Sequence, residues 1–208
     1  MHISEGILEP KILIAGAVVS AVVTIYALKN LKSEDISKVS AFSALFFVAS
    51  SVYIPMGPSS VHLILSGIVG AALGIQAFTA IFVALLLQGL LLGYGGMTTL
   101  GVNLFDLATP ALIASWLFGL RARKEWQKNI LWLAVGFVPV AAGAVLLSSV
   151  LAFNGAISPN DSGNGFFISA AAALFAHVPV MVVEGVITLF ALRFIEKVKP
   201  EILYKNNS

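Results

Sequence analysis

The chain contains no cysteine, which excludes disulfides, thiolate metal sites and thiol catalysis. Charge is scarce as well: 12 Lys and Arg and 10 Asp and Glu make up 11% of the 208 residues, where soluble domains average about 25%. Nothing resembles the glycine-rich phosphate loop of an ATPase. Three histidines, at positions 2, 62 and 177, do not form the His-Glu-x-x-His pattern of an intramembrane zinc peptidase. Residues 1–11 hold Glu5 and Glu9 but only Lys11, the wrong sign for the n-region of a signal peptide. The N-terminus is therefore expected to be the mature one.

What is present is apolar: 59% hydrophobic residues and a mean hydropathy of +0.97. A chain of this kind belongs in the lipid bilayer, and its length accommodates about six to eight transmembrane helices but no soluble domain beside them. Continuous apolar runs without period-2 alternation argue against a closed barrel. The expectation is an all-α, polytopic membrane helix bundle, a single domain over residues 1–208 with about seven spans: 11–29, 38–54, 61–75, 76–93, 104–120, 130–153 and 166–194. The division at Leu73-Gly74-Ile75-Gln76 is the least marked of these boundaries.

Basic residues set the topology. Lys29, Lys32 and Lys38 fall between spans one and two, Arg121, Arg123, Lys124 and Lys128 between five and six, and Arg193, Lys197, Lys199 and Lys205 after seven. Alternating seven spans gathers all three clusters on one side, the cytoplasm by the positive-inside rule, and leaves the N-terminus and the loops at 55–60, 94–103 and 154–165 outside.

Residues 1–10 form a candidate metal-binding segment. Histidine is large enough at position two to protect Met1 from removal. The Met1 α-amine, the His2 amide nitrogen once deprotonated and His2 Nδ1 then close a five-membered and a six-membered chelate ring. Three nitrogens in one plane suit nickel(II), copper(II) or low-spin cobalt(II). Most proteins with His at position two bind nothing there, so context decides.

That context is His62, at the outer start of span three after Pro55-Met56-Gly57-Pro58, a sequence that predicts a rigid turn. His62 is a candidate fourth nitrogen, or an interfacial histidine bonded to loop carbonyls. The glycine-rich stretch 94–103 holds Gly95, Gly96, Thr98, Thr99 and Asn103 and exceeds what a turn needs. It reads as a re-entrant wall of the site, with Asn103 a candidate partner for an imidazole N–H. His177 and Glu184 lie seven residues apart on one face of the last span, as a structural clamp or a functional pair. Asp106 reads equally as an N-cap neighbour of span five. Ala17-x-x-x-Ala21, Gly67-x-x-Gly70 and Gly70-x-x-x-Gly74 permit close helix packing and offer a surface for another membrane subunit.

Four segments, Met1-His2-Ile3-Ser4-Glu5-Gly6, Gly57-Pro58-Ser59-Ser60-Val61-His62-Leu63, Gly95-Gly96-Met97-Thr98-Thr99-Leu100-Gly101-Val102-Asn103 and Ala176-His177-Val178-Pro179 with Glu184-Gly185, together resemble the CbiM/NikM family. Its members are the substrate-binding S components of energy-coupling-factor (ECF) transporters for cobalt and nickel. The resemblance implies metal ligands at Met1, His2 and His62, with residues 95–103 closing over them. It implies no enzymatic activity and no resident cofactor, the Ni(II) or Co(II) ion being cargo. Implied partners are a membrane-spanning coupling subunit, two cytoplasmic ATPases and a separate small accessory membrane subunit, in the inner membrane of a prokaryote and without nucleic acid. A link to cobalamin biosynthesis follows if the cargo is cobalt.

Many cobalt members carry Met at the position of Ser4 and a Thr-Gly-Ser-Cys-Ser-His-Pro segment before the site histidine, which this chain lacks. The departure leans towards the nickel-type branch without separating the metals. The competing reading is a stand-alone secondary carrier or channel with His177 and Glu184 as a midplane relay.

Overall fold

Proline is accepted in the first turn of a helix, where its missing N–H has no intrahelical partner, and Pro10 opens the first helix of the chain. A computed structural model describes residues 3–56, 59–120, 122–157 and 164–204. In chain order its elements are α1 (Pro10–Lys29), α2 (Ile36–Ser51), the strands β1 (Tyr53–Met56) and β2 (Ser59–His62), α3 (Ser66–Leu73), α4 (Ala77–Leu92), α5 (Leu100–Phe118), α6 (Glu125–Ile157) and α7 (Asn164–Val198).

The chain is helical, and it departs from the sequence-based expectation at residues 53–62. The end of span two, an outer loop and the start of span three are instead an antiparallel hairpin pairing Tyr53 with His62 and Met56 with Ser59. Helix α3 has eight residues, about 12 Å at 1.5 Å per residue, too short to cross a hydrocarbon layer of about 30 Å. Among the described residues, five segments are long and apolar enough to cross a membrane: α1, Ser66–Leu92, α5, Glu125–Gly155 and Phe175–Val198. The uncertain boundary at 73–76 is a real break, where Gly74 at φ +58 ends α3 and a single 3-10 turn leads into α4.

Small residues work inside the bundle. A Cβ on Gly67 would strike the Val135–Gly136 backbone of α6, and one on Gly70 the Ala111 carbonyl of α5. Gly101 of α5 lies equally close to Ala17 of α1, and Ser20 Oγ donates to the Gly101 carbonyl at 2.6 Å. The motifs expected to offer a docking surface therefore bring α1, α3, α5 and α6 together. Helix α3 is consequently sealed in the interior, with every residue from Ser66 to Ala72 buried.

At the opposite end of α6 and α7 from the hairpin, Arg193 reaches Glu125 at 2.8 Å and Asn129 at 2.5 and 2.9 Å. Lys128 pairs with Glu196, which also accepts from Tyr204 Oη at 2.9 Å. These contacts tie the long α6–α7 pair to the C-terminal turn.

Candidate metal centre

Met1 and His2 lie outside the described residues, but the segment that follows them is held in detail. Ile3 donates its N–H to Asn103 Oδ1 at 2.8 Å, and Asn103 Nδ2 donates back to the Ile3 carbonyl at 3.1 Å and to Thr99 Oγ1 at 3.2 Å. Asn103 thus grips the backbone of Ile3 rather than the one site histidine among the described residues. Helix α5 starts at Leu100 with Thr99 as N-cap, so Leu100–Asn103 is its first turn and the loop proper ends at Thr99.

The loop lies across the amino-terminal segment. Glu5 Oε1 accepts from Thr98 N at 3.2 Å and from Thr98 Oγ1 at 3.4 Å, and Thr99 Oγ1 donates to the Gly96 carbonyl at 3.2 Å. Gly96 adopts φ +154, and a Cβ there would overlap the Glu5 side chain. Only glycine allows this contact. Ile3 and Leu8 are buried in the core cluster, and each buried aliphatic chain contributes about 2 kcal/mol to holding the segment.

His62 comes in from the hairpin. Its Nδ1 is 2.9 Å from the Ser50 carbonyl at the end of α2. A carbonyl only accepts, so Nδ1 carries the proton and in the neutral ring the lone pair sits on Nε2, the tautomer a metal ligand requires. Burial lowers the His62 pKa below the ordinary imidazole value, against the opposing hydrogen bond to Ser50. The ring lies 5.8 Å from that of Tyr94, tilted by 56°.

Gln88 joins these parts. Its side chain donates to Ser50 Oγ, and its carbonyl accepts from Tyr94 N at 3.3 Å. The residue that presents Ser50 to His62 therefore also anchors the loop that touches Glu5. Neither Ser50 nor Gln88 was singled out in the sequence, although an amide side chain in Leu85-Leu86-Leu87-Gln88 needs a partner wherever it is buried.

Glu184 is fully buried and accepts from the N–H groups of Ile64, at close range, and Leu65, at 2.9 and 3.0 Å. It caps the start of α3 from α7 and fixes the turn two residues beyond His62. Leu65 adopts the left-handed conformation, φ +54, which a leucine holds only under such constraint. His177, about two turns earlier in α7, is also buried. Asp106 is the seventh residue of α5, past its first turn, so it is no N-cap neighbour; it is buried with Oδ1 unpartnered among the described residues. No group of three or more His, Asp or Glu side chains forms a metal site among the described residues.

Long apolar helices, with a loop at 94–99 that contacts both the clamped amino-terminal segment and the His62 ring, define a multi-pass α-helical membrane protein. The CbiM family model, described as the cobalt uptake substrate-specific transmembrane region, matches residues 2–202. A Haemophilus influenzae protein named for metal transport is 35% identical over 211 residues, covering 100% of this chain and 99% of the relative. The cobalt transport protein CbiM of Clostridioides difficile is 30% identical over 223 residues, covering 100% of this chain and 86% of the relative. The crystal structure of a transition metal transporter superposes with a TM-score of 0.78 at 25% identity, covering 97% of this chain and 95% of that one. The chain belongs to the CbiM family of cobalt and transition-metal uptake proteins.

Proposed function

We propose that this chain is the substrate-binding subunit of an ATP-driven, ECF-type importer that captures Ni(II) or Co(II) outside the cell. The ligands in this reading are the Met1 amine, the His2 amide nitrogen and imidazole, and His62 Nε2. The observation that carries it is one loop held against both parts: Tyr94 packs on the tautomer-fixed His62 ring, and Thr98 bonds Glu5 of the amino-terminal segment that Asn103 pins at Ile3. With Ile3 pinned, the two residues before it extend no farther than about 7 Å from it. On binding, the amine and the His2 amide release their protons to water, because metal ligands must be deprotonated. Gly95, Gly96, Thr98 and Thr99 form the lid that excludes water afterwards.

The description of the matching family as substrate-specific supports an energy supply on other chains. In this reading those are a transmembrane coupling subunit, two cytoplasmic ATPases and a small accessory membrane protein. The three basic clusters support a cytoplasmic C-terminus and an outer amino-terminal segment, in this reading in the inner membrane of a prokaryote. Donor chemistry admits both nickel and cobalt.

The secondary-carrier reading is weaker because Glu184, its central residue, is occupied with two backbone amides. Calorimetric titration of Ni(II) and Co(II) into purified protein with an unmodified N-terminus, beside a variant extended by one residue before Met1, tests the proposal. The extension is expected to weaken binding by at least about 100-fold, since it removes the amine from the chelate. Undiminished affinity in the extended protein would sink the proposed site.

A further inference from the structure

Besides Asn103, a second asparagine holds the amino-terminal segment. Asn154, buried near the end of α6, accepts the Glu9 N–H on Oδ1 at 2.7 Å, and its Nδ2 donates to the Ile7 carbonyl at 3.2 Å. One amide side chain thereby satisfies two backbone groups at the junction where the segment becomes helix α1. We propose that Asn154 is a positioning residue for the metal site, setting, together with Asn103, the register and direction in which residues 3–9 present the amino terminus to the cargo ion. The inference rests on the amino-terminal chelate proposed above.

Three features separate this role from general support of the fold. Helix α1 is already fastened to α5 by the Gly101–Ala17 contact and the Ser20–Gly101 hydrogen bond, neither of which involves Asn154. The segment between the two clamps bends at Gly6, φ +81, where nothing approaches a Cβ position, so beyond the Glu5 contacts with Thr98 and Gly96 and the burial of Leu8 its path is set by its ends. Both clamps engage backbone groups only, which makes them sensitive to where the chain runs rather than to side-chain identity. A strap fixed at Ile3 and at Ile7 and Glu9 has little slack, and a chelate that requires a backbone amide nitrogen tolerates little misplacement.

The test uses the full chain with its natural N-terminus in detergent or nanodiscs. Nickel affinity, the d–d absorption of the nickel complex and the thermal midpoint of the metal-free protein are measured for the wild type and Asn154→Ala. The expected result is a roughly tenfold or larger rise in the nickel Kd, with the absorption at saturating nickel unchanged because the ligands are the same. A lower thermal midpoint with an unchanged Kd would show a merely structural residue and overturn the proposal. A second measurement needs no variant: by linkage, nickel must increase the hydrogen-exchange protection of the Glu9 amide if the clamp and the site are coupled. Protection of Glu9 that ignores nickel overturns the inference even where Asn154→Ala does not fold. Failure of the wild type itself to bind nickel or cobalt removes the chelate reading, and this inference with it, before any variant is made.

Discussion

Asn103 and Ile3, one hundred residues apart, meet through all their complementary polar groups: the Ile3 N–H on Oδ1 at 2.8 Å and Nδ2 on the Ile3 carbonyl at 3.1 Å. The pairing imitates a single rung of β-sheet and ties the amino-terminal segment to the first turn of α5. Truncating Asn103→Ala leaves both Ile3 groups buried without partners, a penalty of about 1–3 kcal/mol. Nickel or cobalt affinity measured by calorimetry is expected to fall roughly 10-fold to 100-fold. Asn103→Asp, which keeps the acceptor but loses the donor, is expected to bind no better than half-way back on the logarithmic scale.

Gly96 and Glu5 define a second, steric test. A methyl at Gly96 occupies the space of the Glu5 side chain, so Gly96→Ala is expected to push the loop off the amino-terminal segment and speed metal release to a chelator several-fold. Glu5→Gly on its own removes both Thr98 hydrogen bonds and is expected to speed release as well. Release from Gly96→Ala and Glu5→Gly no faster than from the wild type would show that the contact does not hold the lid.

His62 gives the pH dependence. Burial holds its pKa below the ordinary imidazole value near 6.5. In the unfolded chain His62 protonates first as pH falls, so stability is fully present above about 6.5 and declines from there towards the lower folded pKa. Thermal midpoints of the metal-free protein between pH 7.5 and 5.5 are expected to fall more steeply for the wild type than for His62→Gln.

Glu184 distinguishes a cap from a proton relay. Glu184→Ala strands the Ile64 and Leu65 amides in the core and is expected to cost roughly 2–5 kcal/mol in unfolding experiments, while Glu184→Gln retains one acceptor oxygen and costs less. In liposomes holding this chain alone, a relay would give metal flux driven by a proton gradient and abolished by Glu184→Gln. No such flux is expected.

Much of the helical architecture was legible because apolar runs are local signals. Six of the seven expected spans overlap helices of comparable extent, and the break at Gly74 fell where glycine punctuated the run. The hairpin at 53–62 was not legible, because Tyr53-Val61 and its neighbours are β-prone yet equally apolar, and only the pairing across Gly57-Pro58 distinguishes strand from helix end. For the site, Asn103 and Glu184 stood out by residue type but not by role, since each holds backbone groups rather than an imidazole or a relay partner. Asn154 acts on partners 145 and 147 positions away, Ser50 on His62 12 away and the Gln88 side chain on Ser50 38 away, and nothing in their immediate sequence names those partners.

The sealed position of α3 bears on how the protein is made. A helix of eight residues has most of its backbone groups at its ends, and the cap on its first amides is a carboxylate that emerges from the ribosome about 120 residues later. Until α7 is inserted, the turn at Ile64 and Leu65, just beyond His62, lacks its cap. In the proposed reading, a chain interrupted before Glu184 would therefore enter the membrane with most of its helices in place and its His62 arm incompletely anchored, so completion of synthesis itself finishes the site.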